Sequence, residues 1–143
     1  MNKLTILSCF LIFSGLLSNL SALNINDTVP NFEAIDSKGK KWSLENFRNK
    51  KHVLLFFYPA AMTGGCTKQV CSYRDSYPEW QNKEVEIVGI SGDQVENLTL
   101  FRKAEKLPFS LLSDPDGKIA NLFKVPTKKG GVIERFYEGN KYT

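Results

Sequence analysis

A chain of 143 residues, 42% hydrophobic and 24% charged, holds one domain's worth of sequence and is not the composition of a disordered polymer. The formal net charge of +4 is mild. Its lysines (Lys38, Lys40, Lys41, Lys50, Lys51, Lys128, Lys129) are scattered rather than interleaved with aromatics on one stripe, so they read as a solvated surface and argue against a nucleic-acid partner.

The first segment in chain order reads as an address rather than as part of the fold. Met1, Asn2 and Lys3 supply one positive charge, residues 4–17 are uncharged and rich in Leu, Ile and Phe, and residues 18–22 end in small side chains. That is the layout of a secretory signal, residues 1–22, with cleavage expected after Ala22. The remainder, 23–143, is then a single exported domain, periplasmic or secreted. The apolar stretch falls short of the ~20 residues of a membrane span. Leu20 is a poor residue three positions before the cut, so a membrane anchored by an uncleaved signal is the alternative. Cys9 lies within this segment and leaves Cys66 and Cys71 as the cysteines of the mature chain. Disulfides persist in exported proteins, so a redox-active or bridged pair is expected rather than inert thiols.

Residues 29–35 alternate enough for an edge strand, residues 36–40 are a turn by composition, and residues 41–44 return as the second strand of a hairpin. Residues 53–58, VLLFFY, form a continuous apolar run of the kind buried on both faces of a parallel or mixed sheet. Residues 66–80 suit a helix, with Val70, Tyr73 and Tyr77 at helical spacing. A second buried strand follows at 85–90, then a helix at 95–106 whose inner face is Val95, Leu98, Phe101 and Leu107. Residues 109–112 read as a short strand, 114–117 as a turn, 119–123 as one or two helical turns, and 132–137 as a further strand. Strand and helix in alternation predict a layered α/β domain with right-handed crossovers. No closing amphipathic helix follows before Thr143, which reads as a C-terminally incomplete domain.

The chemistry concentrates at TGGCTKQVC, residues 63–71. Cys66 follows a buried strand, a proline and two glycines, and falls in the first turn of a predicted helix. Unpaired backbone N–H groups and the helix dipole favour an anion there, which suits a nucleophilic thiolate. Gly64 and Gly65 expose N–H groups, and Thr63 offers a hydroxyl near the sulfur. Cys71 lies five residues on. In an intact helix that spacing separates Cα atoms by roughly 8.6 Å, beyond the ~7 Å limit for a disulfide. A bond that forms and breaks with local unwinding is favoured over a static bridge. A metal site would need further ligands, and the one histidine, His52, sits at the far end of its strand. No metal or cofactor is expected.

Weaker signals surround this stretch. Residues 89–93, GISGD, lack the lysine of a phosphate loop and read as a strand-to-helix turn capped by Asp93. Asn26 and Asn97 head glycosylation sequons. Arg74 and Asp75 read equally well as a surface ion pair or as support for the site.

These residues resemble a peroxiredoxin of the PrxQ, or bacterioferritin comigratory protein, type. The similarity lies in Phe57-Tyr58-Pro59, Thr63, Gly65-Cys66-Thr67, Cys71 and Tyr73-Arg74-Asp75, and continues in the GDQ that follows VEIVGIS, in FSLLSDPDG and in VPNFEAIDSKGKKWSLENF. The resemblance implies a thioredoxin-like fold: a central mixed sheet flanked by helices, here with the C-terminal strands and helix missing. It implies a thiol peroxidase that reduces hydrogen peroxide and organic hydroperoxides. Cys66 would be the peroxidatic cysteine, oxidised to a sulfenic acid, and Cys71 the resolving cysteine that closes a Cys66–Cys71 disulfide. Thr63 would bind sulfur and peroxide, Pro59 would shield the pocket, and N–H groups near Gly65 would steady charge on oxygen. A thioredoxin-like protein would return the electrons, to a monomeric enzyme. Gly64 and Gln69 stand where the family usually has Pro and Glu. The family's later arginine finds no match before Thr143, the context of Arg135 (ERFYEG) being different. The rival readings are an inactive thioredoxin-fold remnant, and a thiol–disulfide oxidoreductase or copper-handling protein on that fold.

Overall fold

The apolar run becomes the strand at one edge of the main sheet. In the computed structural model, which describes residues 23–128 and 133–142, it is β3 (His52–Phe57). Before it come β1 (Glu33–Asp36), β2 (Lys41–Ser43) and a short 3₁₀ turn, Leu44–Phe47. After it come α1 (Gly64–Asp75), α2 (Tyr77–Asn82), β4 (Val85–Ser91), α3 (Val95–Ala104), β5 (Ser110–Ser113) and α4 (Lys118–Leu122). A hairpin of β6 (Arg135–Tyr137) and β7 (Asn140–Tyr142) forms a sheet of its own. The main sheet runs β2-β1-β5-β4-β3. Its three inner-sequence strands β3, β4 and β5 are parallel, and β1 is antiparallel to both neighbours, so the sheet is mixed.

Side chains alternate across β3 as strand geometry requires. Leu54 and Phe56 face a core with Val70, Ile87, Leu98, Phe101, Phe109 and Leu111. Val53, Leu55 and Phe57 face the other side, with Phe32, Trp42, Val88, Ile90, Leu112 and Ile119. Burying each large apolar side chain contributes about 1.5–3 kcal/mol. Gly89 pairs with Phe56 on one side and Leu111 on the other. A Cβ there would lie 2.6 Å from Phe56 Cζ, so the missing side chain is what admits the Phe56 ring. That ring in turn meets Tyr58, Tyr73 and Phe109.

Several expectations are revised. The helix over 66–80 is two helices broken at Ser76, with Pro78 inside the first turn of the second, where its missing N–H costs nothing. The first hairpin's edge strand is β2, because β1 pairs with β5. β3 is less buried than a central strand: it lies at the sheet edge, and a hollow of about 460 Å³ lined by Leu44, Phe47, Val53, Leu55, Phe57 and Phe123 opens over its outer face. The strand expected at 132–137 is shorter, Arg135–Tyr137, and Val132 lies outside the described residues. The candidate signal, 1–22, also lies outside them. Among the described residues no helix is long and apolar enough to cross a membrane. Asn97 is buried in α3, which closes that sequon to modification in the folded chain, whereas Asn26 is exposed.

Candidate active site

Where β3 ends, residues 58–63 form the loop that delivers Cys66. Tyr58 continues the strand's hydrogen bonding, its N–H donating to Ile90 O at 3.0 Å. Pro59 then stops the ladder, and it is solvent-exposed. Ala60 and Ala61 are buried, and Met62 adopts φ +57°, a conformation that a non-glycine residue holds only when its surroundings enforce it. Thr63 is extended (φ −99°, ψ 149°) and is the N-cap of α1.

Cys66 is the third residue of α1 and is 8% exposed. The first bond of the helix runs from Thr67 N–H to Thr63 O, so the N–H groups of Gly64, Gly65 and Cys66 precede the ladder. Thr63 makes no side-chain cap. Its hydroxyl donates to Ala60 O at 3.0 Å, which leaves the oxygen's lone pairs free to accept a hydrogen bond. Nothing lies within 4 Å of a Cβ built on Gly64 or Gly65, so these glycines do not serve close packing; they keep the approach to the N–H groups open.

The loop is fixed from beneath by a group that sequence reading placed elsewhere. Asp93 does not cap α3, whose N-cap is Gln94. It is buried, and its Oδ2 accepts from Ala61 N–H at 2.7 Å and from the Ser91 hydroxyl at 2.8 Å. Its Oδ1 pairs with Arg135 Nη2 at 2.7 Å, with side-chain exposures of 7% for Arg135 and 4% for Asp93. The guanidinium that meets this carboxylate is that of Arg135 on the β6–β7 hairpin, and it is buried. No motif marked it, because its position depends on how the hairpin folds back. Its Nε has no hydrogen-bond partner among the described residues.

Tyr58 is the common neighbour of these groups. Its hydroxyl is held protonated well above the usual phenol range, first by burial, with the charges of Asp93 and Cys66 adding and Ser91 and Arg135 opposing. It lies by Ser91 without completing a hydrogen bond of good geometry. Tyr58, Asp93, Arg135 and Cys66 therefore share one electrostatic neighbourhood, although they come from four segments.

Cys71 is on the same unbroken helix as Cys66, and both sulfurs are free thiols. It is half-buried, and its Sγ donates to Glu105 Oε2 at 3.3 Å. Burial raises the Cys71 thiol above its ordinary range, the Glu105 hydrogen bond and charge raise it further, and Arg74 opposes. Arg74 makes a surface ion pair and also reaches the end of α3. Nε pairs with Asp75 at 2.8 Å on the surface, and Nη1 donates to Glu105 O at 2.9 Å. His52 is exposed at the other end of β3 from this site.

A cysteine at a helix start, its loop pinned by a buried carboxylate–guanidinium pair, and a second thiol further along the helix make up the candidate site of this α/β domain. The AhpC/TSA family profile matches residues 25–137, and the chain belongs to that family. Chloroplastic peroxiredoxin Q of Triticum aestivum is 44% identical over 104 residues, 73% of this chain and 48% of that protein. Peroxidoxin BcpB of Mycobacterium tuberculosis superimposes with a TM-score of 0.67 at 36% identity, covering 80% of this chain and 70% of that one. A PrxQ mutant of Xylella fastidiosa shares the fold, with a TM-score of 0.66 at 23% identity over 76% of this chain and 67% of that one. The fold is accordingly thioredoxin-like, and the relatives are of the peroxiredoxin Q type. The chain spans about half the length of the curated relatives it matches: 48%, 56% and 52% for three of them.

Proposed function

We propose that this domain is a thiol-dependent peroxidase. The observation that carries the reading is the setting of Cys66 within an AhpC/TSA chain: third residue of α1, its helix start open over Gly64 and Gly65, its loop anchored by Asp93 and Arg135. The Cys66 thiolate attacks the proton-bearing oxygen of a hydroperoxide, which stays on sulfur with its hydrogen; the O–O bond breaks, and the leaving oxygen takes a proton from solvent and departs as water or an alcohol. Cys66 is left as a sulfenic acid. The free N–H groups of the first helical turn oppose the negative charge that develops on oxygen. Thr63 accepts a hydrogen bond from the bound peroxide, and Gly65 keeps the entry open. Pro59, being exposed, acts at the rim of the entry.

Cys71 then closes the disulfide, and a thioredoxin-like protein reduces it. Closure needs α1 to unwind, since the helix is continuous across both cysteines. Residues 1–22 are read as an export signal for a domain that works as a monomer outside the reducing cytosol. The test is hydrogen peroxide consumption with a thioredoxin-like reductant, comparing the chain with Cys66→Ser. The wild-type chain turns over and the variant does not; equal rates would sink the peroxidase reading for this chain.

A further inference from the structure

The peroxide chemistry leaves Glu105 unused, yet it is the residue that touches Cys71. It stands at the C-terminal cap of α3, partly buried, and reaches α1 in two ways. Its carboxylate Oε2 accepts from Cys71 Sγ at 3.3 Å, and its backbone carbonyl accepts from Arg74 Nη1 at 2.9 Å. Arg74 Nη1 also lies 3.7 Å from Oε2, which fixes the carboxylate from a second side. The half of α1 that bears Cys71 is thereby tied to the end of α3, thirty-four residues away in sequence. The other half of the helix, bearing Cys66, is not part of this tie.

We propose that Glu105 is a positioning residue for the resolving step, holding Cys71 as a bound thiol in the folded helix, so that this tie must release before the disulfide closes. The proposal rests on the peroxidase reading for the closing reaction and on geometry alone for the tie. In the closing reaction the Cys71 sulfur bonds to the Cys66 sulfur and the S–O bond of the sulfenic acid breaks. The hydroxyl leaves as water with the proton from the Cys71 thiol. Cys71 is oxidised and the sulfenic sulfur reduced, so no outside electron donor or acceptor is needed. A thiol bound to a carboxylate is a poor nucleophile twice over: it is protonated, and it is anchored away from its target.

The groups facing Cys71 are Glu105 from the end of α3 and Arg74 and Asp75 from its own helix. Burial, Glu105 and Asp75 all disfavour the thiolate, and Arg74 alone favours it. The tie needs the S–H proton and weakens once Cys71 ionises. Its effect should therefore be largest near neutral pH and vanish where Cys71 is fully a thiolate.

The test compares the full chain with Glu105→Gln, which keeps the side chain's size and an acceptor oxygen but removes the charge. In the reduced proteins, hydrogen exchange of the backbone amides from Cys71 to Asp75 should be on the order of tenfold faster in the variant, as expected for loss of one charge-assisted hydrogen bond. In a Cys66→Ser background, the pH midpoint of Cys71 alkylation should fall on introducing Glu105→Gln. After one equivalent of hydrogen peroxide, disulfide closure followed by mass spectrometry should be faster in the variant at pH 7, and the two rates should converge at alkaline pH. Unchanged exchange or an unchanged alkylation midpoint overturns the proposal. So does slower closure in the variant, which would make Glu105 a base that assists the attack. Faster exchange with no Cys66 sulfenic acid in either protein upholds the tie and overturns the peroxidase reading instead.

Discussion

Replacing Asp93 by alanine tests whether the site is held from beneath in the way the geometry implies. The substitution strips the anion from Arg135, whose side chain is 7% exposed and whose Nε already lacks a partner. An uncompensated buried charge costs about 3–5 kcal/mol. Ala61 N–H and the Ser91 hydroxyl lose their acceptor as well, at about 1–3 kcal/mol for a group that finds no substitute. These losses are not additive, and about 4–6 kcal/mol in all would remove much of the ~5–15 kcal/mol that keeps a domain folded. Arg135→Met should be milder, about 1–3 kcal/mol, because Asp93 keeps both of its other donors. Urea unfolding of the two single variants and the double variant completes a cycle. The double should recover about 2 kcal/mol or more relative to the sum of the singles. A cost for Arg135→Met that equals or exceeds that of Asp93→Ala, or strictly additive effects, refutes this account of the pair.

Three other substitutions follow from local geometry. Gly64→Pro should raise stability by about 0.5–1 kcal/mol, because Gly64 opens α1, faces empty space, and follows a Thr63 already in the extended conformation that a residue before proline requires; a lowered melting temperature would mean its N–H is in use. Gly89→Ala should cost about 1–3 kcal/mol through overlap with Phe56 and Leu111, and Phe56→Leu in the same chain should recover part of it. Tyr58 carries a pH signature. Its folded-state pKa lies above the unfolded value of about 10, so its contribution is intact below that pH and is lost as pH rises through the folded value. The urea midpoint should hold up to about pH 9.5 and fall beyond it, and Tyr58→Phe should flatten that fall; identical alkaline profiles would count against a buried hydroxyl.

Burial of Val70 and Phe56 in one cluster follows from patterns legible along the chain, since strand alternation and helical spacing are local properties. So do the alternation of strand and helix through β3, β4 and β5 and the separation of the two thiols along one helix, although that helix begins at Gly64, two residues before the spacing placed it. What could not be read is any contact whose partners are far apart in sequence. GISGD looked like a capped turn because capping is the commonest local use of an aspartate there. Only packing reveals that Asp93 turns back instead to Ala61 and Arg135. Arg135 carried no motif, because its value lies in where the β6–β7 hairpin sets it down. Glu105 carries no local signal, because its contact with Cys71 exists only once α1 lies beside the end of α3.

The sequence alone determined the candidate site's local make-up: a cysteine at a helix start, open glycines before it and a second thiol beyond bonding reach, all set by spacing within one stretch. The tertiary structure alone decided what surrounds them. A buried charge must find its counter-charge from whichever segment the fold brings near, and desolvation, which no local pattern encodes, makes that choice binding.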